Sequence, residues 1–306
     1  MKKVVETSSR AKPILLTIAA VLIVLFIIVP LAFLFFDGSQ FGNVALIPID
    51  GVITGDGQSY LGSATVSSST IVQFIQEAED NPSVKAIVLE INSPGGSAVA
   101  SDEIATSVKK SSKPVIALIR EVGASGGYWI ASATDHIVAN KMSITGSIGV
   151  VSSYLEFSEL MDEYGITYQR MVAGKYKDIG TPLKQLDDNE RVLLQGKLDK
   201  IHTFFIQEIA ANRNLPESKV RELATGEFYL GIEALDAGLV DQLGDKDTVE
   251  QYLQETYGLK EISYIHYQQQ SGILQLLSGV FNDFSFHIGQ GISSLLLQKE
   301  NNIMLM

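Results

Sequence analysis

The stretch Glu121–Ala133, EVGASGGYWIASA, sets a serine among glycines. Gly123-Ala124-Ser125-Gly126-Gly127 fits the pattern G-x-S-x-G, in which a serine hydroxyl stands exposed on a tight strand-to-helix turn and attacks a carbonyl carbon. Such a serine needs a neighbouring base to take its proton. The chain holds 4 histidines and no cysteine, so the base can be sought residue by residue. Thiol nucleophiles, thiolate metal sites and disulfides are excluded. His136 follows Ser125 too closely to serve as the base of a triad on this fold, and reads as part of a surface turn. His202 falls beside the apolar stripe of a helix, where it packs or faces solvent. His287 lies in an amphipathic tail. His266 alone, after Asp241, Asp245 and Asp247, gives the Ser…Asp…His order of an α/β-hydrolase-type esterase. Its surroundings, ISYIHYQQQ, do not resemble a catalytic loop.

Lysine is the other route to a base, since Ser-Lys pairs are a variant of the triad logic. The amine must be neutral to accept a proton, so its pKa must fall from about 10.4 towards neutrality. Burial among apolar groups has that effect. The segment 173-AGKYKDIGTP-182 offers Lys175 and Lys177 between glycines that permit tight turns. Asp178 acts against this, because a carboxylate beside the amine favours the ammonium. An extended backbone over 176–178 would turn the two side chains to opposite faces. Oxyanion donors are expected from backbone amides: Gly95 after the loop Asn92-Ser93-Pro94, and Gly126 directly after the serine. A third glycine-bounded loop, TGSIGVVSS, holds Ser147.

The elements that must position these loops alternate. Val44–Ile53, Lys85–Ile91, Pro114–Ile119 and His136–Ala139 read as strands. Thr70–Ala78, Val99–Lys110 and the segment opening after Ser125 read as helices. Continuous apolar strands between amphipathic helices imply an α/β domain whose parallel sheet is covered on both faces, with right-handed crossovers. A long helix is expected over Asp187–Asn212, with Leu194, Leu198, Ile201, Phe205 and Ile209 as its buried stripe. Thr225–Gly244 reads as a strand-turn-helix-turn-strand cap. Two glycine loops end consecutive strands, where open α/β sheets put their ligand sites.

Net charge is −12, which leaves no basic field for nucleic acid. Pro13–Phe36 is an uncharged apolar run long enough to span a bilayer and to meet its lipid. Lys2, Lys3, Arg10 and Lys12 precede it, which orients the N-terminus to the cytoplasm and the rest of the chain across the membrane. Its length, and the poor cleavage site at Leu34-Phe35-Phe36-Asp37, favour an uncleaved signal anchor over a signal peptide. The expected organisation is a cytoplasmic segment 1–12, an anchor 13–36, a linker 37–43, a catalytic domain 44–258, and a C-terminal strand with an amphipathic tail over 259–306. No ligand cluster or phosphate loop occurs, so no metal, nucleotide or other cofactor is expected.

Four motifs occur in order: Asn92-Ser93-Pro94-Gly95-Gly96, Ala124-Ser125-Gly126-Gly127-Tyr128, Thr145-Gly146-Ser147-Ile148-Gly149-Val150 and Gly174-Lys175-Tyr176-Lys177-Asp178. Together they resemble the signal peptide peptidase family of the SppA type, in its short bacterial form. The likeness runs from about Val44 to Gly258 and includes the N-terminal anchor. It implies a ClpP/crotonase-like fold and a membrane serine peptidase. Its nucleophile would be Ser125, its general base Lys177, its lysine-orienting residue Ser147, and its oxyanion amides Gly95 and Gly126. It further implies a ring-shaped homo-oligomer, with each site drawing serine and lysine from neighbouring subunits. The substrates would be signal peptide remnants and other hydrophobic peptides. The rival readings are the Ser125/His266 esterase, a crotonase-type CoA enzyme, a non-catalytic membrane scaffold, and a related peptidase acting on a membrane-protein partner.

Overall fold

Strands buried on both faces carry apolar residues at nearly every position. β1 (Val44–Asp50, VALIPID) is of that kind. The computed structural model describes residues 42–58 and 64–268, with short pieces at 17–18 and 21–24. Apart from those pieces, the expected anchor 13–36, the residues before it, most of the linker and the tail after Gln268 lie outside the described residues. Among the described residues no helix is long and apolar enough to cross a membrane.

After β1 the chain runs through β2 (Val52–Thr54), β3 (Thr65–Ser67), α1 (Ser68–Asp80), β4 (Ala86–Ser93), α2 (Ala98–Lys110), β5 (Val115–Ala124), α3 (Gly126–Ser132), β6 (His136–Ala139) and β7 (Ile144–Gly146). It continues through α4 (Ser158–Glu163), α5 (Asp188–Asn212), α6 (Glu217–Leu223), β8 (Phe228–Leu230), α7 (Gly231–Ala237), β9 (Gln242–Leu243), α8 (Lys246–Tyr257) and β10 (Tyr264–His266). The main sheet has the order β10-β1-β4-β5-β6-β9, and all these neighbours are parallel. This is the mixed α/β architecture with a largely parallel, helix-flanked sheet that the alternation predicts.

The period-two geometry of strands divides the core. Ala45, Ile47, Ile49, Ile87, Leu89 and Ile91 face α1, α2, α3 and α5. Val44, Leu46, Ala86, Val88, Ile116 and Leu118 face Val249 and Leu253 of α8. Serines start the two helices that follow β3 and β4. Ser67 Oγ accepts from Thr70 N–H, and Ser97 Oγ accepts from Ala100 N–H, each satisfying an amide that has no intrahelical acceptor.

The strand expected over Pro114–Ile119 runs on to Ala124. Ile116–Ile119 pair with β6, whereas Val122–Ala124 pair with β7. Between the two halves the register against β4 shifts, from Ile91 opposite Ile119 to Ser93 opposite Gly123. Such a bulge bends a strand and re-aims the residues beyond it. The Ser143 hydroxyl donates to the Arg120 carbonyl at the bend. β7 continues outward by pairing antiparallel with β8.

The stripe expected on α5 is buried only in part. Phe205, Ile206 and Ile209 are core residues, whereas Leu194, Leu198 and Ile201 are only half-buried and Val192 is 72% exposed. The N-terminal half of α5 adjoins a segment in which no described residue from Val151 to Asn189 is buried. Apolar periodicity marks the inward face, but among the described residues its first half is only partly covered. That helix start is held instead by polar contacts. Asp187 accepts from Glu190 N–H at 2.8 Å, Glu190 accepts from Asp187 N–H at 3.1 Å, and Lys184 Nζ reaches the buried Glu190 carboxylate at 2.5 Å. We predict that Asp187→Ala lowers unfolding free energy by about 1 kcal/mol, the usual cost of losing an N-cap. Chemical denaturation measures this, and an unchanged midpoint would show that the cap contributes nothing.

Candidate active site

Ser125 is the single residue between β5 and α3. Its φ of 52° and ψ of −120° put an L-residue at positive φ, a conformation that costs about 1–3 kcal/mol and persists only where surrounding contacts impose it. Those contacts are visible. Ser125 N–H donates to Gly146 O at 2.8 Å, and Ser125 O accepts from Trp129 N–H at 2.9 Å. The serine is thereby tied to the end of β7 on one side and to the first turn of α3 on the other.

The loop after β4 lies directly against this junction. A Cβ on Gly95 would come within 2.6 Å of Gly126 N and 2.9 Å of Ser125 Cβ, so only glycine permits the approach. Gly95 itself is buried, and its N–H donates to Ser93 Oγ at 3.1 Å. Gly96 is exposed. In its bridge to Ile53, the Ile53 N–H donates to Gly95 O and the Ser97 N–H donates to Ile53 O, which leaves the Gly96 N–H outside that ladder. Gly96 N is 3.3 Å from where a Cβ on Gly126 would sit. Gly126 N–H opens α3, where an amide has no carbonyl four residues back within the helix. The amides best disposed to receive a negative oxygen beside Ser125 are therefore those of Gly96 and Gly126. The amide of Gly95, expected in that role, is turned inward to Ser93.

Ser147 follows β7 as Ser125 follows β5, and it too has positive φ, at 50°. Its N–H donates to Glu227 O at 2.9 Å, and its hydroxyl donates to Gly226 O at 3.3 Å. With its proton so directed, the lone pairs of the hydroxyl remain to accept a bond. Ser125 and Ser147 line one cavity of about 440 Å³, walled by Pro94, Val150 and Val151 on one side and by Gln195, Leu198, Asp199 and His202 of α5 on the other. Two larger hollows, of about 670 and 600 Å³, lie elsewhere on the surface and do not include Ser125.

No lysine lines this cavity among the described residues. Lys177 is exposed, in a turn whose N–H at 177 donates to Gly174 O at 3.1 Å. The backbone of 175–180 is a run of turns, not the extended strand considered for separating Asp178 from the amine. Asp178 is instead occupied by Arg170, with oxygens 2.5 Å from Nε and 2.8 Å from a terminal guanidinium nitrogen. That pairing holds its carboxyl down at about 2. Lys175 Nζ lies over the Tyr176 ring, 5.0 Å from its centre, and the hydrogen bond to Tyr176 pushes its pKa up, which keeps the amine protonated and unable to accept a proton.

The histidines divide clearly. His136 is stacked on Tyr252 and reaches Gln242 Oε1 at 3.2 Å. His266 is in β10, in register with Leu46, which pairs with Val88, which pairs with Ile116. Ser125 lies beyond the far end of β5, roughly 30 Å further along the strand direction at ~3.3 Å per residue, so His266 cannot act on it. His287 is outside the described residues. His202, read from sequence as packing or solvent-facing, is the histidine on the cavity wall. Its helical position gave no sign of this, because the loop it meets is brought in by tertiary contacts.

Residues 107–260 match peptidase family S49. A provisionally named protease of Methanocaldococcus jannaschii is 31% identical over 233 residues, covering 75% of this chain and 74% of that protein. A provisionally named signal peptide peptidase SppA of Enterococcus faecium is 31% identical over 236 residues, covering 76% of this chain and 69% of that protein. A chloroplastic serine protease SPPA of Arabidopsis thaliana is 33% identical over 186 residues, covering 60% of this chain and 27% of that protein.

The strained junction yields a stability prediction. Ser125→Gly relieves ~1–3 kcal/mol of backbone strain and loses ~0.4–1 kcal/mol through the freer unfolded chain. We expect a net gain of about 1 kcal/mol in unfolding free energy, read from denaturant titration. A loss of stability would mean that the conformation is not strained.

Proposed function

The chain belongs to peptidase family S49 and is a serine protease, and we propose that it is a membrane-anchored endopeptidase with a Ser-Lys dyad on a ClpP/crotonase-like fold. One observation carries the reading. A strained, glycine-flanked Ser125 shares one cavity with Ser147, and among the described residues no lysine lines it. The missing base is the Lys177 amine of a partner subunit. Lys177 sits in a segment whose apolar side chains are open to solvent, including Val151 (86% exposed), Leu155 (74%) and Met171 (93%). Contiguous exposed apolar surface of this kind favours association, and a ring of copies would cover it together with the bare half of the α5 stripe.

The reaction then runs in two halves. The neutral lysine amine takes the Ser125 proton as Oγ attacks the peptide carbonyl carbon. The carbonyl oxygen becomes an oxyanion between the Gly96 and Gly126 amides. The C–N bond breaks as the lysine returns the proton to the leaving amine, and an ester on Ser125 remains. Water, deprotonated by the same lysine, releases the acid and restores the serine. Ser147 accepts a hydrogen bond from the amine and holds it in line. Val150, Val151 and Leu198 in the cavity wall suit the hydrophobic side chains of a peptide. The name of the Enterococcus relative and the motif resemblance favour signal peptide remnants among them. The anchor at 13–36 would keep the catalytic domain at the extracytoplasmic face, near such substrates.

Ser125→Ala and Lys177→Arg should each abolish peptide hydrolysis in folded protein, the second because a guanidinium stays protonated. Asp178→Asn should retain activity. Ser125→Ala mixed with Lys177→Ala should regain activity if assembly pairs an intact serine with an intact lysine. Mixed oligomers that form and stay silent would refute the shared site.

A further inference from the structure

His202 has no part in the dyad, yet it reaches the same cavity, and its hydrogen bonding identifies what it does. Its Nε2 lies 3.3 Å from the carbonyl oxygen of Ile148, the residue directly after Ser147. A carbonyl can only accept, so Nε2 carries the proton and the ring lone pair is on Nδ1. The nitrogen that faces the Ser147 loop is therefore a donor, which removes it as a base for Ser125. The same Ile148 oxygen accepts from Gly226 N–H at 3.2 Å. Ser147 in turn gives its N–H to Glu227 O and its hydroxyl to Gly226 O. The loop carrying Ser147 is thus clamped to 226–227 by backbone bonds, and His202 supplies the one side-chain donor that ties this clamp to α5.

We infer that His202 is a positioning residue, whose Nε2–H holds the Ile148 carbonyl and so fixes the direction of the Ser147 hydroxyl beside Ser125. Ser147 has positive φ, a conformation that must be imposed from outside. The Ile148 side chain is fully buried and anchors one side of that peptide. The histidine bond anchors its carbonyl oxygen. Without this donor the Ile148 oxygen keeps only the Gly226 N–H, the peptide is held less firmly, and the 3.3 Å bond from the Ser147 hydroxyl to Gly226 O loosens, so the serine lone pairs no longer point one way. The inference rests on the reading of Ser147 as the residue that orients the base.

The test uses the full-length assembled protein and five variants, with kcat and KM measured on one hydrophobic peptide and folding followed by thermal midpoint. His202→Leu should lower kcat about tenfold through the lost alignment of Ser147, with KM little changed. His202→Gln retains an amide N–H near the position of Nε2 and should recover to within about threefold of wild type. In a Ser147→Ala background, His202→Leu should add no further loss, because the bond acts through Ser147. Equal losses in Leu and Gln would overturn the inference, as would losses that multiply in the double variant, or a His202→Leu enzyme with wild-type kcat. Ser125→Ala with wild-type activity would instead remove the underlying nucleophile assignment and this inference with it.

Discussion

β5 gives its hydrogen bonds to β6 over Ile116–Ile119 and to β7 over Val122–Ala124, and Ser125 stands where the second set ends. The shift of register at the bulge is what allows one strand to serve two neighbours. Because Ser125 N–H extends the ladder to Gly146 O, the end of β5 and the end of β7 are held side by side, each closed by a serine with positive φ. The parallel sheet behind them is buried on both faces by two apolar clusters, so the strand ends cannot drift independently. The catalytic geometry is in this sense a boundary condition of the sheet.

The polar groups around the junction are assigned with little redundancy. Ser93 takes the Gly95 amide and passes its own proton to Gly51 O at 2.6 Å, which removes both from the surface. The Gly96 N–H is left out of that arrangement, and the Gly126 N–H opens α3 directly after Ser125. The arm that follows β7 is polar in its fixed contacts and apolar in its free surface. Arg170 with Asp178, Gln185 with Glu159, and Phe157 N–H with Pro182 O hold it to itself. Its hydrophobic side chains remain for another surface to take. Stability within the subunit, and the association between subunits that we propose, thus draw on different residues of one segment.

Much of this was legible in the chain itself. The apolar strands and the glycine loops carry local signals, and the parallel, helix-flanked sheet and the turns that hold Ser125 and Ser147 follow from them. The features that stayed hidden depend on longer reach. Arg120 and Glu121 break the apolar run, so β5 reads as ending at Ile119, although the ladder resumes past the bulge. Gly95 and Gly96 are alike in sequence, and only the inward Ser93 hydroxyl separates their amides. Leu194, Leu198 and Ile201 show which face of α5 is apolar, but periodicity carries no information on whether this chain or another covers it. His202 meets Ile148 across a long sequence separation, and neither residue type announces the contact.

The clamp on Ser147 also imposes an order in time on synthesis. A ribosome delivers Ser125 well before it delivers Gly226 and Glu227, whose backbone groups receive the Ser147 amide and hydroxyl. β8, the antiparallel neighbour of β7, is later than both serines as well. Until that stretch has left the exit tunnel, no acceptor exists to hold the Ser147 loop in its positive-φ conformation, and the wall of the cavity at Thr225 and Gly226 is missing. A nascent or prematurely terminated chain therefore carries Ser125, the nucleophile we propose, without its finished cleft, and on that reading the polypeptide is protected from its own chemistry by the direction in which it is made.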